Sequence, residues 1–485
     1  MSRWSVVVGV ALAHAVASCG SAAPTAVSRV QHGELPKAWS HAAETPDVPF
    51  RAHVPDLGPE EAFATPKIFE QRMPNGVRVL LVERHDLPVL QIGFIVTRGA
   101  ADAMPGVAEF ASSMIFQGTS CRSDKDVMRE MSGLGWSAWA QHDAYGLVIR
   151  SLGSDLTRNF PGICGLFQSA SLPPERFEQT RKRRLALLAE ITNDGDQILD
   201  RAIAEKIYPQ GHPYHQTLLG DENALRSITR EQVEDFYRTQ LRPDQMVVIA
   251  AGDITRSVLV HYVNDGFNHW RGKAAPRDQP PPQVTSLPPG DAIFLIDRPS
   301  FNQATIRLAA PGIERSHPDF ETLNVLNMIL GQSFNSRLMK NLREQRGAAY
   351  NTGSSFSARR GAGPFVVSGE VPTEEAGDSI REILKELDRL RTTPVSSEEL
   401  AVAKSKYLRS VSLEFTSVEG TLNALYRLAV YEQGADSIAA LPRDLEAIVP
   451  QRLQRVAREY LAADRFKIFV VGDAQRLAPQ LAKLY

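Results

Sequence analysis

Residues 245–254 read QMVVIAAGDI, and residues 465–474 read RFKIFVVGDA. Each is a continuous apolar run of strand length, typical of a buried strand, closed by Gly-Asp. Gly472 follows Gly252 by 220 residues, so the motif recurs at the spacing of a domain. Just upstream of each run lies an amphipathic helical pattern, SITREQVEDFYRTQL (227–241) and IVPQRLQRVAREYL (448–461). Further back, SLPPERFEQTRKRRLALLAEI (171–191) matches PVSSEELAVAKSKYLRSVSLEF (394–415), each a turn followed by a long helix with Glu in its first turn, where the helix dipole favours it. Both halves open on strand-like segments: GVRVLLVERH and VLQIGFIVTRG in the first, AIFLIDRP and QATIRLAAPG in the second. The expected fold class is α+β: two homologous domains related by internal duplication, each a mainly antiparallel sheet with helices packed on one side.

Composition agrees with a large globular body. The chain has 485 residues, 43% hydrophobic and 23% charged, enough to bury two or more cores. A formal net charge of −2 without long Lys/Arg runs leaves no electrostatic footprint for nucleic acid. Three cysteines give no disulfide framework. Cys121 (GTSCRS) and Cys164 (PGICGLF) have no metal-ligand spacing; they either pair in an oxidising compartment or stand as two buried thiols.

The ends and the joint of the body are marked by composition. Residues 1–19 carry Arg3, the apolar stretch VVVGVALAHAVA (6–17), and VASC ending at Cys19. That is a signal peptide, and VASC resembles the lipobox of bacterial lipoproteins, which implies lipidation of Cys19 and attachment to a membrane. Ordinary secretory cleavage nearby is the alternative. Residues 20–65, rich in Pro, Ser, Ala and Gly, are expected to form a flexible tether. KAAPRDQPPPQVTSLPPGD (273–291) holds six prolines and reads as an extended linker between a first domain, 66–272, and a second, 292–485.

Over residues 66–485 the chain resembles the pitrilysin/insulinase family of inverted zinc peptidases, which includes the mitochondrial processing peptidase subunits. The resemblance rests on MPNGVRVLLVERHDLPVLQIGFIVTRGAADAMPGVAEF, YPQGHPYHQTLLGDENALRSITREQV, VVIAAGDI and ILGQSFNSRLMKNLREQRGAAYNTGSSF, in this order and spacing. Such enzymes need H-x-x-E-H on a helix and a distant Glu, two imidazoles and a carboxylate holding zinc while the motif's Glu takes a proton from the bound water. Alignment through GVAEF and MIFQGT places Glu109, Ser112 and Ser113 at the three motif positions, and Glu190 in LLAEI at the distant ligand. Both imidazoles and the base are missing. A serine hydroxyl is a poor zinc ligand, and loss of a general base alone costs roughly 100- to 10,000-fold. No catalytic residue, metal or cofactor is therefore expected in this chain. His212 and His215 lie in GHPYHQ and His142 stands alone, without ligand spacing.

The second half keeps what the first has lost. In LREQRGAAY the resemblance places the family's substrate-binding pair at Arg343 and Tyr350. A guanidinium and a phenol can hold a peptide carbonyl and the oxyanion formed when water attacks it. From the residues alone, a surface ion pair and a core tyrosine explain them as well. The resemblance implies a non-catalytic subunit of a heterodimeric zinc peptidase, giving Arg343 and Tyr350 to a homologous zinc-bearing partner and binding peptide in part by strand addition. The alternative is a stand-alone, membrane-tethered peptide-binding scaffold. ILGQSF (329–334) holds one Gly where processing-peptidase relatives carry a longer Gly-rich loop, which argues against loop-driven presequence recognition. Gly20 after Cys19, in place of a retaining Asp, directs the expected lipoprotein to the bacterial outer membrane, facing the periplasm.

Overall fold

The computed structural model describes residues 65–484, except 192, 273–280, 283, 285, 286 and 358. The leader, Cys19, all but the last residue of the tether and part of the proline-rich linker lie outside the described residues.

The first sheet contains β1 (Phe69–Arg72), β2 (Arg78–Glu83), β3 (Val89–Val96), β4 (Gly135–Ala140), β5 (Tyr145–Leu152) and β6 (Met246–Gly252), in the order β1-β2-β6-β3-β5-β4. The second contains β7 (Ile293–Asp297), β8 (Gln303–Pro311), β9 (Thr352–Phe356), β10 (Pro364–Pro372) and β11 (Lys467–Gly472), in the order β7-β11-β8-β10-β9. With β1 set aside, the two orders correspond strand for strand. Each sheet is otherwise antiparallel, with one parallel pair joining its opening and closing strands: Arg78 opposite Val247 in β2/β6, and Ile293 opposite Ile468 in β7/β11. The duplication read from QMVVIAAGDI and RFKIFVVGDA is thus present in the topology.

Local chemistry explains the recurring punctuation. Gly252 ends β6 at φ +122°, and a Cβ there would lie 2.1 Å from the Val89 carbonyl oxygen, so the turn admits only glycine. Asp473, after the equivalent Gly472, accepts a hydrogen bond from the Gln475 N–H and caps helix Ala474–Leu481. Helix Arg230–Gln240 starts with a Thr229/Gln232 capping box and buries Val233 and Phe236; Ser396 caps helix Ser397–Glu414.

The apolar runs are buried on both faces because the halves exchange helices. In β2, Val79 and Leu81 point into the first half's own core, beneath helices that include Val107–Met114 and Arg230–Gln240. The alternate residues Leu80 and Val82, with Val247 and Ile249 of β6, pack instead against Leu422, Leu425 and Leu428 of helix Val418–Val430, which belongs to the second half. The reverse exchange is made by Leu199, Ile203 and Ile207 of helix Gly195–Ile207, which cover Ala309, Val366, Phe469 and Val471 of the second sheet. The described part of the linker follows the same seam, with Val284 buried and the Pro282 carbonyl oxygen 3.0 Å from His212 Nε2.

Candidate functional site

Glu109, Ser112 and Ser113 lie on helix Val107–Met114, as the alignment requires. Their side chains do not converge on an open metal position. Ser112 and Ser113 each donate to the Glu109 carbonyl oxygen at 2.9 Å, the back-bonding that short hydroxyl side chains make within helices. The Glu109 carboxylate is held by Arg184, 2.8 Å away, with both side chains 17% exposed. Arg184 also donates to Ser113 Oγ. Burial raises the Glu109 carboxyl above its ordinary value, and the Arg184 charge and a hydrogen bond from the Ala140 backbone pull against it. Two hydroxyls turned onto their own helix, one carboxylate already paired, and a guanidinium beside them do not form a donor set for zinc. Among the described residues no three His, Cys, Asp or Glu side chains gather as a metal site.

Glu190 is exposed and does not join them. Helix Pro174–Ile191 turns Arg184, Leu187, Leu188 and Ile191 toward the cleft, and Glu190 falls on its solvent face. Arg184 escaped the sequence reading because it sits in the basic run RKRR. Its signal was periodic: a cation spaced four and seven residues from Leu188 and Ile191, on the apolar side of the helix.

Arg343 and Tyr350 stand elsewhere, beside the edge strand β9. Arg343 lies in the last turn of a π-helical segment, Met339–Gln345, a geometry frequent at functional sites. The chain then reverses: Ala348 and Ala349 N–H groups donate to the Leu342 carbonyl at 2.8 and 3.1 Å, and Gly347 takes φ +63°. The reversal returns Tyr350 over Arg343, whose guanidinium carbon lies 5.1 Å from the Tyr350 ring and 5.2 Å from the Phe334 ring. Tyr350 is 82% exposed and Phe334 64%, so neither is a core residue. Arg343 makes no ion pair among the described residues. The result is a guanidinium between two exposed rings, with donors left for a ligand. Phe334, in ILGQSF, was not singled out from sequence; an aromatic among Gly, Gln, Ser and Asn was its trace.

A cleft of about 820 Å³ runs between the halves, lined by Glu109 and Arg184 on one side and Arg298, Arg307 and Arg359 on the other. Arg307 is paired with Asp196 at 2.6 Å and lies 3.6 Å from Asp200. His142 also lines it; burial, then the Arg359 charge, push its imidazole well below the ordinary range. His212 accepts the Tyr214 N–H at Nδ1, and His215 Nδ1 is 2.8 Å from the Tyr208 carbonyl, both structural contacts. Cys121 is exposed and Cys164 buried, and both are free thiols.

Residues 227–407 match the family described as the peptidase M16 inactive domain. An uncharacterized zinc protease of Streptomyces coelicolor is 22% identical over 82% of this chain and 88% of its own. The mitochondrial-processing peptidase subunit beta of Dictyostelium discoideum is 24% identical over 71% of this chain and 75% of its own. Among solved structures, the peptidase M16 inactive domain from Pseudomonas fluorescens superposes with a TM-score of 0.75 at 21% identity, covering 84% of this chain and 98% of that one.

Proposed function

Because the chain belongs to the pitrilysin/insulinase family of inverted zinc peptidases, we propose that it is the non-catalytic, substrate-binding subunit of a two-chain peptidase, lending Arg343 and Tyr350 to a homologous partner that carries zinc. The observation that carries this reading is the contrast between the two sites: at the metal-motif positions the one carboxylate, Glu109, is already paired with the Arg184 guanidinium, while Arg343 is presented with exposed Tyr350 at the surface. That a relative is named as one subunit of a peptidase supports assembly with a second chain. In this reading Arg343 and Tyr350 hold the scissile carbonyl of a peptide and the oxyanion that develops on it, and Phe334 keeps the guanidinium from collapsing onto the protein surface. No step passes through a metal held by this chain. Cys19, outside the described residues, would carry the lipid that tethers the complex to the periplasmic side of the outer membrane.

The test uses the mature chain alone and mixed with its nearest H-x-x-E-H homologue, with zinc content and peptide cleavage as readouts. The lone chain should carry no stoichiometric zinc and cleave nothing. The mixture should cleave, and Arg343→Ala/Tyr350→Phe should lose roughly 100-fold or more of that gain, the scale of an oxyanion donor. Unchanged activity on mixing would leave the membrane-tethered scaffold; stoichiometric zinc in the lone chain would overturn both.

A further inference from the structure

A second cavity, about 510 Å³, opens behind the interdomain cleft, and the two share Trp139, His142, Ser357 and Arg359 in their walls. Those residues form a waist. Beyond it the smaller chamber is walled by Val148, Tyr426 and Tyr431 over the buried Ile95 and Leu422, with Gln141, Asp143 and Asn423 at its polar side, a mostly apolar and aromatic lining of the kind that holds one ligand side chain.

One guanidinium at the waist makes no close ion pair. Arg184, Arg201 and Arg307 along the cleft are paired with Glu109, Glu205 and Asp196. Arg359 is not: among the described residues its guanidinium makes no ion pair, although its charge reaches the Asp200 carboxyl of the same cleft, and it lies over the Tyr214 ring, 4.6 Å from its centre. The nearest acid of the chamber wall, Asp143, is engaged at both oxygens, by the Tyr214 hydroxyl at 3.0 Å and the Arg360 N–H at 2.9 Å. On the cleft side two buried polar atoms, Gln216 Oε1 and Arg307 Nε, have no hydrogen-bond partner, which in a native structure calls for an explanation. One acceptor and one donor beside a guanidinium without an ion pair match a peptide backbone ending in a carboxylate.

We propose that the waist binds the carboxyl-terminal end of a peptide, the terminal carboxylate on Arg359, the last, apolar side chain in the aromatic chamber, and the preceding backbone along Gln216 and Arg307. The site lies in this chain alone. It requires no zinc-bearing partner, so its failure and that of the subunit reading are separate results.

The experiment measures fluorescence anisotropy of a labelled, uncharged nonapeptide ending in Phe, as free acid and as amide, against the mature chain. A third peptide, amidated and ending in Glu, separates a terminal carboxylate from a side-chain one. The free acid should bind about tenfold or more tighter than either amide, as one charge-assisted contact gives. Arg359→Gln should erase that preference, while Arg201→Gln, in the same cleft but paired with Glu205, should keep it. Equal binding of acid and amide, binding of neither, or a preference that survives Arg359→Gln would overturn the proposal. The Glu-ending amide binding as well as the acid would also overturn it. Should Arg359→Gln misfold by near-UV circular dichroism, the wild-type comparison of acid with amide decides alone.

Discussion

Arg184 is the residue on which the metal-motif region turns. Its charge faces Glu109 and Ser113, so restoring the motif residues by Glu109→His/Ser112→Glu/Ser113→His should not restore zinc while Arg184 remains; stoichiometric zinc by mass spectrometry in that variant would refute the steric and electrostatic block. Arg184→Met should lower stability by roughly 1–3 kcal/mol, because it strands a largely buried carboxylate, and Glu109→Gln in the same background should recover part of the loss. The pH dependence has a definite sign. The folded-state pKa of Glu109 is raised above the ordinary 4.5, so the folded chain holds that proton where the unfolded chain has released it. Stability from this group is fully present below 4.5 and is lost as pH rises through the raised value; Arg184→Met should steepen the loss and Glu109→Gln remove it. Urea midpoints measured across that window check both.

At the scale of elements, the exchanged helices carry the energetic weight. Leu425 of helix Val418–Val430 is fully buried against the back of the first sheet, and Leu425→Ala should cost about 2–4 kcal/mol, as a cavity between two elements does. A fall under 1 kcal/mol in chemical denaturation would mean the helix is a loose cover. The approach of ILGQSF to β9 gives a second test. A Cβ on Gly331 would lie 2.4 Å from the Ser354 nitrogen, so Gly331→Ala must push β9 away and should destabilise by about 1–3 kcal/mol, read as a lowered Tm. The single glycine of that stretch is therefore explained by packing, whatever part its neighbours play in binding.

At the scale of the whole molecule, reciprocal exchange predicts one cooperative unit. Residues 66–272 alone would expose Leu80, Val82, Val247 and Ile249, and residues 292–485 alone would expose Val366, Phe469 and Val471. Each fragment should aggregate or bind a hydrophobic dye when expressed singly, and the two co-expressed should form a soluble 1:1 complex; two well-folded separate fragments would contradict the interlock. The duplication and the α+β class were legible in the sequence, because strand and helix periodicities are local. QMVVIAAGDI read as a buried strand, but the expectation of helices on one side of each sheet left its second face open, and in the fold that face is covered as well. What covers it was not legible: Leu80 and Leu425 are 345 residues apart, and no local pattern says that a helix will cross to the other half's sheet. The same limit hid Arg184, Phe334 and Arg359, ordinary residues until folding sets one against Glu109, another against Arg343 and the third, without an ion pair, at the waist of a cleft. Sequence determines which groups a chain owns and how each element turns them; only tertiary packing decides which charges meet a partner, because burial and distance across the fold set the energy of every such pair.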